Sequence, residues 1–497
     1  RASSDDFGIV DAWWDINTAQ DSDGDGDPVN DRDHLGLTAL HTYAQGGVSG
    51  VALTVVDGRG QTHRALSAVE IGPQAPPFVL CPVFEGNPRR PHPVLPSRDA
   101  ILKAVARDQG PVTFRWDFGD GTFDPPLGQN PRVAANPLKI ESSHRYVGPP
   151  GTTWTATVTV TDSAGLSASS SMRLRMEVDT DERRADVAIA DGLWYLHGSQ
   201  TRSGGVGYWP GYSGNNATYS ALHAFGIHGH RYLGDMMTDP YVVTVRDGLR
   251  DVLGKSVQVG AYSTSTGLSG PLDDANQAAI TADTTITAAY IQGIVIDALV
   301  AMESPVGLLP TSQPLFQNRR VLDIVRDLMD AQTWGQGDSG TGRGGWRYGW
   351  NMSDADNSAC QWPVIGYLAA EDVMGLHAPD WTKALNQEWL ARSMIAPGPG
   401  RAQFGYLPGY FADGPAATSP SALIQMIWNG MGNGHRWWAG VEREVRAHLW
   451  DANFKPYQNR LADFYYSSFA LVKAMKLARP EPIERLDGIL DWYGDPE

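Results

Sequence analysis

Six aspartates crowd one short run near the start of this chain: Asp21, Asp23, Asp25 and Asp27 alternate with Ser and Gly, and Asp31 and Asp33 follow. Alternating carboxylates on a glycine-bent loop can turn their oxygens inward onto one hard cation, and Ca2+ takes an all-oxygen shell of this kind. Such a site would be structural, stiffening the module that carries it; the other reading is a solvated acidic turn. A second acidic run, Asp354-Ala355-Asp356-Asn357, follows Gly344-Gly345-Trp346-Arg347-Tyr348. Two carboxylates beside an arginine can exchange protons with a substrate, and Arg347 with His197 or His223 would complete an acid–base set. The same Asp356-Asn357-Ser358 also reads as a helix cap, because a short oxygen-bearing side chain accepts from the first free backbone N–H groups of a helix.

Aromatic residues recur in glycine-rich company: Tyr208, Trp209, Trp346, Tyr348, Trp350, Tyr406 and Tyr410. Flat rings with Asp, Asn and Arg nearby suit a glycan or a peptide. The alternative is that they fill a core. His223 and His228 are five residues apart and do not share a helical face cleanly. Cys81 and Cys360 are the only cysteines and read as buried thiols rather than a bridge. Neither a zinc ligand set nor a nucleotide site is expected.

These residues must be positioned by more than one core, since 497 residues exceed what a single core supports. The net charge of −17 excludes nucleic acid as the expected partner, and no apolar run reaches the roughly 20 residues of a transmembrane helix. Up to about residue 178 the pattern is β-type. Val51–Val56 and Thr155–Thr161 each end in an Asp-started turn, each follows a His-x-Tyr (His41-Thr42-Tyr43, His144-Arg145-Tyr146), and each has a Trp-Asp pair upstream. This is one β-module used twice. Trp116-Asp117-Phe118-Gly119-Asp120-Gly121, then His-x-Tyr, then Thr-Val-Thr-Val-Thr-Asp resembles the polycystic-kidney-disease (PKD) domain family, an immunoglobulin-like β-sandwich. The resemblance covers residues 1–178 and implies a tryptophan between two sheets and a tyrosine pinning a strand corner. Asp117, Asp120 and Asp124 flank the hairpin, where a cation could bridge them, but Asp120-Gly121 reads as turn chemistry and Asp117 as an acceptor for backbone donors. The first copy, residues 1–74, is partial, with too little chain before Trp14 for two strands. Either a longer multi-module protein or a neighbouring chain is expected to complete it. The acidic loop is an insertion in that copy; its opening also resembles an EF-hand loop, but Arg32 stands where a closing Glu is required.

From residue 179 the texture turns helical, with candidate helices over 185–196, 217–227, 284–302, 319–330, 359–371, 383–393, 421–429, 440–449 and 466–477, and glycine–aromatic connectors rather than strands between them. The recurring Gly-aromatic clusters followed by a fresh helix resemble the α/α-toroid superfamily of squalene cyclases and prenyltransferase β-subunits, which implies an all-helical ring over residues 179–497. In that resemblance Asp354-Ala355-Asp356-Asn357 occupies the place of a cyclase acid motif, with Asn at its fourth position. The multidomain arrangement is thus a partial sandwich, a complete sandwich of residues 75–178, and a toroid. The expected role is a non-catalytic extracellular or cell-surface scaffold, with the sandwiches as spacers or self-assembly elements and the ring as a binding head for protein, glycan or peptide. The alternative is a secreted carbohydrate-active lyase or hydrolase using Asp354, Asp356, Arg347 and His223; a degenerate terpenoid cyclase ranks last.

Overall fold

A computed structural model describes residues 8–43, 47–72, 76–87, 89–108, 110–211, 216–259, 279–282, 288–302, 305–309, 313, 315–316, 319–396, 399–409, 415–448 and 465–491. The chain divides into two compact units, Arg1–Trp209 with Ala224–Arg250, and Pro210–His223 with Asp251–Glu497.

The first module of unit one is a single sheet among the described residues. Strands β1 (Ile9–Asp15), β2 (His34–Leu35), β3 (Gly47–Asp57) and β4 (Thr62–Ile71) run in the order β2-β1-β3-β4. The β3–β4 turn closes because the Asp57 carboxylate accepts from the backbone N–H of Arg59 and of Gln61 at 2.8 and 2.7 Å.

The second module has both layers. One sheet is β10 (Arg132–Val133), β8 (Thr113–Asp117), β12 (Thr153–Thr161), β13 (Ser167–Met176) and β6 (His92–Val94), with β9 (Phe123–Asp124) also on β8; the other is β11 (Ile140–His144), β7 (Ala100–Arg107) and β5 (Phe78–Leu80). Alternation decides the faces. Ala156, Val158 and Val160 of β12 and Met172, Leu174 and Met176 of β13 point into a core centred on the fully buried Trp116. On the opposite face Thr157, Thr159 and Thr161 pair hydroxyl to hydroxyl with Ser171, Ser169 and Ser167 at 2.7–2.9 Å.

The two modules repeat at atomic detail. Tyr146 donates to the Phe118 carbonyl at 2.9 Å, and Tyr43 donates to the Ile16 carbonyl at 3.1 Å. In each case the acceptor lies two residues after the module's tryptophan. His144 and Tyr146 meet edge to face, as do His41 and Tyr43, with ring centroids 4.6 Å apart in both. The His-x-Tyr residues therefore form one corner, used twice.

Strand β7 is buried along most of its length, including Lys103, because both of its faces are covered. Its outer face meets helix α1 (Asp181–Ser199), which begins where Thr180 caps Arg183 N–H at 3.3 Å. Lys103 reaches Asp191 at 2.8 Å, Arg98 joins the same carboxylate at 2.6 Å, and Trp194 Nε1 donates to Glu141 at 2.9 Å. His197 is buried between the Leu138 carbonyl and the Thr244 hydroxyl, 2.6 Å from each. Arg246 donates to the Leu66 carbonyl of the first module at 3.0 Å. Within this unit the sandwiches are held to helical segments on several sides.

Unit two alternates inner and outer helices. The hairpin of β14 (Thr201–Ser203) with β15 (Val206–Tyr208) belongs to unit one, and α2 (Asn216–Ile227) and α3 (Val242–Lys255) each carry residues of both units. After a hairpin of β16 (Val257–Val259) with β17 (Ala279–Thr281), the helices of unit two are α4 (Ala288–Ala301), α5 (Val321–Trp334), α6 (Asn357–Ala369), α7 (Asp380–Ser393), α8 (Pro415–Trp428), α9 (Trp438–His448) and α10 (Tyr465–Leu477). α4 packs on α6, α6 on α8 and α8 on α10, while α5, α7 and α9 lie against this inner set. α4 is buried almost all round, as an inner helix must be, and α5 is deeply buried too, with Val321, Ile324, Val325 and Leu328 joined by the polar Asp327, Gln332 and Thr333. At the α4–α6 crossing the backbones touch: a Cβ on Gly293 would stand 1.8 Å from the Trp362 carbonyl oxygen. This is the α/α-toroid pattern.

Two expectations are corrected. The connectors do contain strands: besides the hairpins above, β18 (Met394–Ile395) pairs with β19 (Gln403–Phe404), and β20 (Arg485–Leu486) with β21 (Leu490–Asp491). Turn glycines such as Gly204 and Gly205, both at positive φ, let a short connector fold onto itself. Helix α3 was not expected, because Val242-Val243-Thr244-Val245 is a β-branched run and two glycines follow; burial of Val242, Val245, Leu249, Val252 and Leu253 on one side outweighs that propensity.

Candidate functional site

The most chemically dense region of unit two starts at Arg347. Its guanidinium pairs with Asp356, sits 3.3 Å from Asp354, donates to the Tyr406 hydroxyl at 2.7 Å, and lies over the rings of Tyr348 and Tyr406 at 4.7 and 5.4 Å. The Tyr348 and Tyr406 hydroxyls are 3.1 Å apart. Burial, then Tyr348 and Asp356, push the Tyr406 phenol up, so it stays protonated.

Half-buried rings continue from here. Tyr348 meets Tyr290 of α4 (6.0 Å between centroids), Tyr290 meets Trp362 of α6 (5.2 Å), and Trp362 stacks on Phe469 of α10 (5.6 Å, 18°). Lys473 lies over Phe469 and holds Asp297 at 2.6 Å; Asp297 also pairs with His223 at 3.1 Å. A run of four rings thus joins Asp354–Arg347–Asp356 to His223–Asp297–Lys473. Inner helices supply most of it, because side chains of α4, α6 and α10 converge on the space those helices surround.

Asp354 and Asp356 differ sharply. Asp356 is fully buried and both oxygens are engaged: Oδ1 accepts from Ala359 N at 2.8 Å and from Ser358 at 2.5 Å, and Oδ2 takes Arg347. It is the N-cap of α6, as its sequence context implies. Asp354 keeps 46% of its side-chain surface exposed and is the carboxylate a ligand can reach. Asn357, at the fourth place of the cyclase-like motif, faces inward. It accepts from Trp389 and Gln425 at 2.8 and 3.1 Å and donates to the Gly405 carbonyl at 2.8 Å, within a buried amide network that includes Asn386 and Asn429.

Other expected residues fall elsewhere. Tyr208 and Trp209 belong to unit one; Trp209 is buried, donates to the Leu196 carbonyl at 2.7 Å and packs on Phe225, so it is core. Trp346 is also core, its indole N–H given to the Gln332 carbonyl at 2.9 Å. Trp350 packs on Trp334 and against Gly335. Tyr410 lies outside the described residues. His197 has both ring nitrogens engaged in unit one, and burial with nearby Arg202 pushes its pKa down to about 3, so it is no acid–base group. Cys81 and Cys360 are free and buried. Tyr290, Trp362 and Phe469 were missed. Their signal is a half-buried ring on each of α4, α6 and α10, which becomes visible only in the packed structure.

In the first module, Asp21, Asp23 and Asp31 bring carboxylate oxygens within 4.8 Å of one another. Asp25 is turned to Asn30 (2.8 Å), Asp27 to Arg64 (3.6 Å), and Asp33 to the Ile16 N–H (2.9 Å). Beside them Asp15 is buried, and burial, helped by Asp33 and Asp31, pushes its carboxyl up to about 6. Asp117 and Asp120 of the second module serve as turn acceptors for Gly119 and Thr122, and Asp124 pairs with Arg132 and Ser142.

The fold and site define a multidomain protein: β-sandwich modules with a mainly helical toroid unit. Residues 86–174 match the family model of the PKD domain. No curated protein matches the sequence. Among solved structures the chain is similar to the PKD domain of an M14-like peptidase from a Thermoplasmatales archaeon (14% identity, 20% of this chain and 93% of that one, TM-score 0.15). It is also similar to a family 76 glycoside hydrolase from a bovine Bacteroides thetaiotaomicron strain (9% identity, 76% and 84%, TM-score 0.37). A beta-1,2-glucanase from Parabacteroides distasonis shares 12% identity over 86% of this chain and 68% of that one, with a TM-score of 0.33. Of the expected likeness to prenyltransferases and cyclases, only the coarser α/α-toroid architecture stands. No helix among the described residues is long and apolar enough to cross a membrane.

Proposed function

We propose that this is an extracellular carbohydrate-active protein whose helical unit takes a glycan along the run from Tyr348 to Phe469. The observation that carries this reading is the four half-buried rings with an ionisable group at each end. Sugar rings stack their C–H faces on aromatic side chains, and flanking charged groups fix their hydroxyls. Asp354, oriented by Arg347, is the proton-transfer group for cleavage of a glycosidic bond, and His223, oriented by Asp297, binds sugar hydroxyls at the far end of the run. The PKD match supports the extracellular setting.

A second reading has one observation in its favour: Asp356 is committed to a cap and an ion pair, leaving fewer acids for chemistry. In that reading the ring holds a glycan without cleaving it, as the binding head of a surface scaffold.

The test is affinity electrophoresis and reducing-sugar release on a panel of neutral and acidic polysaccharides. The expected result is retention by one polymer, lost in Trp362→Ala, and sugar release lost in Asp354→Asn with retention kept. Retention without release supports the scaffold, and no retention by any polymer refutes both.

A further inference from the structure

We infer that the loop between β1 and β2 is a Ca2+ site built by Asp21, Asp23 and Asp31. Their oxygens converge within 4.8 Å, close enough for one ion to touch all three. Convergence alone would describe any acidic turn. What sets this loop apart is a second observation: Asp31 is 1% exposed, yet its Oδ1 is buried with no hydrogen-bond partner while Oδ2 accepts from Ser22 N–H at 2.6 Å. A carboxylate oxygen removed from water and given no donor lacks the one partner it requires. Asp15, also 1% exposed and next to Asp31 and Asp33, leaves its Oδ2 equally orphaned. Among the described residues no Lys, Arg or His forms an ion pair with Asp21, Asp23 or Asp31. Arg32, which in sequence stands at the closing position of the loop, is directed away, 3.3 Å from Asp11 and over the Trp13 ring at 3.9 Å.

The chemistry selects the ion. Three carboxylates, with backbone carbonyls and water completing the shell, suit the flexible, oxygen-only coordination of Ca2+; Mg2+ demands a tighter octahedron and keeps its water. The loop replaces, in the first module, the segment that in the second module returns through β9, β10 and β11 to the His-x-Tyr corner. A bound ion would give that segment the rigidity which strands supply in the other copy.

The experiment uses the full chain and Tb3+ as the probe, because Trp13 donates to the Asn30 carbonyl within the same loop at 3.1 Å and can sensitise lanthanide emission. Saturable emission that Ca2+ displaces, weakened about tenfold or more in Asp31→Asn, is expected. Asp23→Asn, at an exposed position, reports the same loss without touching a buried residue. No displacement by millimolar Ca2+, or parental affinity in both variants, overturns the site. Displacement by Mg2+ at the same concentrations as Ca2+ overturns the assignment to calcium.

Discussion

Arg347 joins two carboxylates that sequence alone cannot rank, and the structure ranks them by burial: Asp356 is sealed and capping, Asp354 is open. Removing the guanidinium strands a buried charge. Arg347→Met should therefore cost about 3 kcal/mol in urea unfolding, and Asp356→Asn, which keeps a capping oxygen, should cost less. Two histidines set the acid limit of unit one. Burial above all pushes His92 down to about 4 and His197 to about 3. Since the unfolded chain binds these protons near pH 6.5, stability is full above that value and falls as pH drops below it. The loss should approach on the order of 3 kcal/mol per residue near pH 4. Thermal unfolding between pH 7 and 4 checks this, with His197→Asn flattening the slope.

At the scale of elements, nine of the ten long helices among the described residues follow from periodicity and caps, as does the corner of each sandwich, because local signals such as His-x-Tyr and Asp-Asn-Ser at a helix start carry their own geometry. The ring-lined run was not legible: Tyr290, Trp362 and Phe469 lie 72 and 107 residues apart in sequence, and only the packing of α4, α6 and α10 makes them neighbours. Nor was the cover on β7, where Lys103 reads as a solvent residue until α1 brings Asp191. The α4–α6 contact gives the sharpest test of the inner layer. Gly293→Ala places a methyl group inside the Trp362 carbonyl, so the helices must separate. A loss of about 3 kcal/mol is expected, read as a lower melting temperature with loss of near-ultraviolet tryptophan signal.

At the largest scale, the sandwiches of unit one are not separate from helix. α1 belongs to their compact unit, tied by Asp191, Trp194 and His197 to the second module, while Arg246 reaches the first. Unit one should then unfold in one transition. Asp191→Ala, which leaves the buried Lys103 ammonium uncompensated, is expected to lower that midpoint equally whether tryptophan fluorescence or helical circular dichroism is followed. Separate transitions would show the modules to be independent spacers.

The threonine–serine ladder of β12 and β13 bears on how this protein behaves in crowded surroundings. Its six hydroxyls face outward in matched couples, giving a wettable stripe between the charged Arg115 and Asp117 of β8 and the far strand edge. Exchanging Thr157, Thr159 and Thr161 for valine would preserve shape while turning that patch oily. Light scattering at rising protein concentration should then reveal clumping that the parent resists.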